Sequence, residues 1–88
     1  MPTNKDIQQK RAEANQLDVT VHVGKQGITD ATITELKAQL KAKRLVKVRL
    51  LKSATHETST QEQAEALAAA TGTTLVDVRG HTAVFWKA

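Results

Sequence analysis

The sequence predicts an α/β (α+β) fold: an N-terminal helix, then a βαβαββ core with a four-stranded mixed sheet and two helices packed on one face. Three observations predict it. Apolar residues alternate at Val19, Val21 and Val23 and again at Val46, Val48 and Leu50, the period of a half-buried strand. Ile33, Leu36 and Leu40, and later Ala64, Leu67, Ala68 and Thr71, recur at three- and four-residue spacing, the period of one helical face. Thr74 to Arg79 and Thr82 to Lys87 flank Gly80-His81, a two-residue hairpin connection.

Each element has a local reason. Thr3 is placed to cap a helix from about Asn4 to Asn15, with Asp6 in its first turn. Its apolar stripe (Ile7, Ala12, Ala14) is thin, which predicts loose packing. The strand Val19 to Val23 runs into Gly24, and Thr29 caps a second helix reaching about Lys43. In the strand that follows, Lys47, Arg49 and Leu51 alternate with the apolar set. Ser53 to Ser59 is polar loop, and Ser59-x-x-Glu62 has the spacing of a capping box for a third helix. Gly72 stands where a helix end wants positive φ.

Right-handed crossovers between parallel strands would put the second and third helices on the same face of the sheet. The other face would then show Thr20, His22, Lys47, Arg49, Asp77 and Arg79. Phe85 and Trp86 are neighbours in a strand, so one faces the core and the other the surface, where covering the first helix is favoured over stacking on a base.

With 88 residues, no repeat and no low-complexity linker, residues 1–88 are expected to form one domain with a modest core. The absence of cysteine excludes disulfides, thiolate metal sites and thiol nucleophiles. His22, His56 and His81 lack ligand spacing, so no metal or other cofactor is expected. No nucleophile–base pair can be named either, and the expectation is a protein that is not an enzyme and takes no small-molecule substrate. There is no apolar run of membrane-spanning length and no signal-peptide core near Met1, which predicts a cytoplasmic protein without a membrane partner.

The net charge of +4 is unevenly spread: residues 1–53 carry +6 and residues 54–88 carry −2. Between Lys37 and Lys52 there are seven basic residues and no acidic one. Such asymmetry is the footprint of a polyanion binder, although a solvated helix face would also show it. The basic run follows Gly24-Lys25-Gln26-Gly27, which joins a strand to a helix. Two glycines allow close approach of a ligand to the backbone, the lysine adds charge, and a helix N-terminus offers free N–H groups. A plain strand-to-helix turn is the competing reading of that motif.

Three segments together resemble a known family. Val23-Gly24-Lys25-Gln26-Gly27-Ile28-Thr29, then Leu45-Val46-Lys47-Val48-Arg49, then Thr71-Gly72 with Val76-Asp77-Val78-Arg79-Gly80-His81-Thr82, are similar to the motifs of the CRM (chloroplast RNA splicing and ribosome maturation) domain and its stand-alone YhbY-like members. The resemblance spans roughly residues 14–87. It departs in the polar first helix, in Arg79 where relatives carry an apolar residue, and in Trp86-Lys87 for the usual Tyr-Arg.

The resemblance implies an RNA-binding module whose core is similar to the C-terminal domain of translation initiation factor three. It implies contact with structured RNA through the GxxG loop (Gly24, Lys25, Gln26, Gly27) and through Lys47 and Arg49. The basic surface read from the residues adds Lys43, Arg44 and Arg79. With so few aromatic residues, backbone and shape recognition is expected over base readout. The expected partner is ribosomal RNA or a large-subunit precursor bound by a monomer; the alternative is a protein-interaction adaptor on ribonucleoprotein particles.

Overall fold

The computed structural model of the chain describes residues 3–24, 28–50 and 60–87. Lys25, Gln26 and Gly27 of the glycine motif, Leu51, and the polar loop with its capping residue Ser59 lie outside them. The element order is the expected one: α1 (Asn4–Ala14), β1 (Val21–Val23), α2 (Asp30–Lys43), β2 (Leu45–Leu50), α3 (Thr60–Thr71), β3 (Thr74–Arg79) and β4 (Thr82–Trp86).

The helix ends follow local chemistry. At α1, Asp6 N–H donates to Thr3 Oγ1 (3.2 Å) and Thr3 N–H donates back to Asp6 Oδ2 (3.1 Å), a complete capping box. At α2, Thr32 N–H donates to Thr29 Oγ1, and Asp30 adds an acid in the positive first turn. The far end of α2 closes on Arg44 in the left-handed region (φ 67°), with its N–H donating to Leu40 O. A side chain in that conformation costs about 1 kcal/mol. Lys87 N–H donates to Arg44 O at 2.8 Å, tying this turn to the end of β4. At Gly72 (φ 65°) the chain leaves α3 as the sequence predicts.

The strands form one sheet in the order β1-β2-β4-β3. β1 pairs parallel to β2, and β4 runs antiparallel between β2 and β3. Helices α2 and α3 pack on one face. There Val21, Val23, Val46, Val48, Leu50, Ala83 and Phe85 meet Leu36, Leu40, Ala64, Leu67 and Ala68, all of them buried. The alanines of α3 bring its backbone close to the sheet, and buried Gln63 joins that side of the helix.

Helix α1 lies on the opposite face. Ile7 and Ala14, two turns apart, pack with Val76, Val84, Leu45 and Trp86. Phe85 is thus the core aromatic and Trp86 the cover for α1. The Lys10 ammonium sits 5.2 Å from the Trp86 ring centroid, within cation–π range.

An irregularity in the sheet sets which β3 side chains reach the α1 face. In the β3–β4 ladder the register passes from Leu75↔Phe85 to Asp77↔Val84, so β3 carries an extra residue there, a β-bulge. Strict alternation would send Leu75, Asp77 and Arg79 to one face. The bulge keeps Leu75 and Val78 in the α2–α3 core while Val76, Asp77 and Arg79 turn to the α1 side.

Candidate nucleic-acid interface

The α1 face of the sheet can be read as rows across the strands, because directly paired residues share a face. The row nearest Gly24 is His22↔Arg49↔Thr82↔Arg79, one residue from each strand. At about 4.8 Å per strand it spans roughly 14 Å. His22, Arg49 and Arg79 are exposed. The next row holds Lys47, Val84 and Asp77, and the last holds Leu45, Trp86 and Thr74. Helix α1 packs against the apolar members of these two inner rows and leaves the outer row open.

Two features fix that outer row in place. Leu50 N–H donates to His81 O at 2.6 Å, which locks the hairpin turn against the end of β2. Gly80 (φ 56°) supplies the backbone the two-residue turn needs. As a result Gly24 at the end of β1, Arg49 near the end of β2 and Arg79 beside the turn stand along one edge of the molecule. Gly24 is exposed, and no heavy atom lies within 4 Å of the position a Cβ would take there. The packing of the described residues does not demand glycine at this site.

Behind the row, a cleft of about 150 Å³ opens between the end of α1 (Ala14, Asn15) and the sheet residues Lys47, Asp77, Arg79, Thr82 and Val84. Asp77 is its acidic member. Its Oδ2 meets Arg79 Nε at 3.0 Å and its Oδ1 meets Arg11 Nε at 3.6 Å, while Arg11 Nη2 donates to Val76 O. The Arg79 side chain is 67% exposed and that of Arg11 44%, so solvent screening holds each pair to about 1 kcal/mol or less. The pairs orient Arg79 more than they stabilise the fold. Lys47 and Arg49 have no carboxylate partner among the described residues.

The residues singled out from the sequence therefore divide. Gly24, Arg49 and Arg79 are brought to one edge, with half-buried Lys47 one row behind. Lys43 and Arg44 lie at the opposite end of β2, about 17 Å away for a strand of this length. They do not join the same patch. Thr82, Asp77 and Arg11 complete the edge, and the sequence reading gave them no role there. Thr82 could have been found from the two-residue hairpin, which pairs it with Arg79; Arg11 carried no signal, because its contact joins α1 to β3, elements far apart in the chain.

Among the described residues no cluster of three or more His, Cys, Asp or Glu is placed to hold a metal ion, and no helix is long and apolar enough to cross a membrane.

The chain and its fold have counterparts among known proteins. The chain matches the CRS1 / YhbY (CRM) domain over residues 3–87. It belongs to the CRM family. A CRM relative in Bacillus subtilis, named "Probable RNA-binding protein YqeI", is 33% identical over 87 residues, covering 99% of this chain and 88% of that protein. "Probable RNA-binding protein MJ0652" of Methanocaldococcus jannaschii is 36% identical over 85 residues; the match takes in 97% of this chain and 63% of that longer protein. The solution structure of the Staphylococcus aureus hypothetical protein SAV1595 superposes with a TM-score of 0.83 at 31% identity, over 100% of this chain and 90% of that one. The CRM fold thus accounts for the helix-first, four-stranded architecture.

Proposed function

We propose that this domain binds structured RNA through its backbone, using the glycine loop and the open row of the sheet. The observation that carries the reading is the row itself: His22, Arg49, Thr82 and Arg79 stand in register beside Gly24. It is exposed, cationic and left uncovered by α1. A phosphodiester chain laid along it would meet the Arg49 and Arg79 guanidiniums and the Thr82 hydroxyl. Lys47 would reinforce the field from behind. Gly24 would let the strand end approach the sugar–phosphate chain without a side chain between them.

Two CRM relatives named as RNA-binding support this assignment. The row carries no Phe, Tyr or Trp; the His22 imidazole and the guanidiniums of Arg49 and Arg79 are its only flat groups, so recognition rests chiefly on shape and phosphates. We place the protein, as a cytoplasmic monomer without catalytic activity, in large ribosomal subunit assembly.

The test is fluorescence anisotropy with a folded ribosomal RNA fragment across a salt series, for wild type and for Gly24→Asp with Gly27→Asp. Wild-type binding should weaken steeply with salt, by 0.7–0.9 in log–log slope per phosphate contact. The double variant should melt like wild type and lose at least tenfold in affinity. Binding equal to wild type by a folded variant would sink the role of the loop. Binding indifferent to salt would sink backbone recognition.

A further inference from the structure

The cations left out of that edge form a surface of their own. Lys37 and Lys41, one turn apart on α2, and Lys87, just beyond β4, border a cleft of about 190 Å³ floored by Leu40, Thr71 and Thr73. Lys43 and Arg44 continue it at the end of α2, and Lys87 N–H is bonded to Arg44 O, which holds the two segments together. Among the described residues none of these five cations has a carboxylate partner and no acidic side chain lines the cleft.

Helix polarity explains part of this grouping. Lys41 and Lys43 fall in the last turn of α2, where cations are favoured. Lys37 is a turn too early for that effect, and Lys87 comes from another element. The meeting of three lysines from two elements around one cleft is a product of the tertiary structure.

The cleft's hydroxyls are committed elsewhere. Thr71 Oγ1 donates to Leu67 O at 2.8 Å, so in the 2.8 Å Thr71–Thr73 contact Thr73 is the donor. Neither proton is free for a ligand. Only the ammonium groups remain to recognise one, and an ammonium group acts on a phosphate as a point charge without base selectivity.

We propose that this cleft is a second phosphate-binding surface, which engages a stretch of the RNA backbone separate from the one on the glycine-loop edge. The proposal rests on the RNA-binding reading above. The two surfaces lie at opposite ends of β2 and on opposite sides of the sheet, about 17 Å apart along the strand. A domain gripping RNA at both holds two backbone segments in a fixed relation. That suits a folded RNA and not an isolated short strand.

The experiment measures the salt dependence of binding by the full chain to the same folded RNA fragment. It compares wild type, Lys37→Gln/Lys41→Gln/Lys87→Gln, and Arg49→Gln/Arg79→Gln. Loss of three phosphate contacts should lower the log–log slope of the triple variant by about 2–3, and the edge variant should show its own, smaller reduction. A triple variant with the wild-type slope, beside an edge variant that has lost affinity, overturns the second surface and leaves the first reading standing. A triple variant that loses slope while the edge variant does not would support this surface and overturn the edge. No salt-dependent binding by wild type overturns both. Single variants Lys37→Gln and Lys87→Gln, each expected to remove about 1 from the slope, decide the matter if the triple variant melts early.

Discussion

On one face of the sheet, twelve buried residues from β1, β2, β4, α2 and α3 exclude water together; on the other, α1 covers two rows and leaves the third open. The first face is built from apolar side chains. The second carries two arginines arranged around Asp77 and a lysine over an indole ring. The fold's stability is therefore concentrated on the α2–α3 side. The α1 side can expose charge at its edge because little of the core's hydrophobic free energy depends on it. Small domains have little stability to spare, so such a division lets a charged surface stay wet without unfolding the chain.

The sharpest way to break this comparison uses two neighbours in β4. Phe85 is fully buried on the α2–α3 side. Phe85→Ala should cost about 3–5 kcal/mol, leaving the domain largely unfolded in a urea titration. Trp86, one residue on and facing α1, is half-buried. Trp86→Ala should cost about 2 kcal/mol, with loss of the Lys10 contact included. Equal losses at the two positions would mean that the α1 side is as important to the core as the other.

A smaller effect is expected at Asp77. Asp77→Asn removes both ion pairs, and exposure of both arginines limits the cost to about 1 kcal/mol or less. Freed of its carboxylate, Arg79 should bind RNA phosphates more strongly at low salt, so affinity should rise as melting temperature falls slightly. A drop in both would show that Asp77 positions Arg79 for binding. The smallest effect on stability belongs to Gly24→Ala. With open space around the Cβ position, thermal melting should match wild type, so any change in RNA affinity reads the loop's approach to its ligand alone. A destabilised Gly24→Ala would point to the turn and away from the ligand.

Much of this was legible beforehand, for reasons specific to particular residues. Thr3 with Asp6, Thr29 and Gly72 act within a few residues of themselves, so the helix boundaries could be read directly. The alternation of Val46, Val48 and Leu50 fixed which side of β2 enters the core, and so which side shows Lys47 and Arg49. The bulge at Val76 could not be read, because it depends on how β3 pairs with β4 and not on β3 itself. The division of the basic run was also hidden. Arg49 and Lys43 are six residues apart in sequence, but a helix end followed by a full strand carries them to opposite ends of the molecule.

By itself the sequence determined the order of elements, the buried side of β1, β2, α2 and α3, and the cationic character of the middle of the chain. These follow from local periodicity, capping and charge, which act over a few residues. Only the tertiary structure decided that β4 lies between β2 and β3, that Arg79 joins Arg49 across Thr82, and that Lys87 reaches Lys37 and Lys41. Those neighbours are far apart in the chain, and strand pairing, with burial of the faces it creates, is what brings them together.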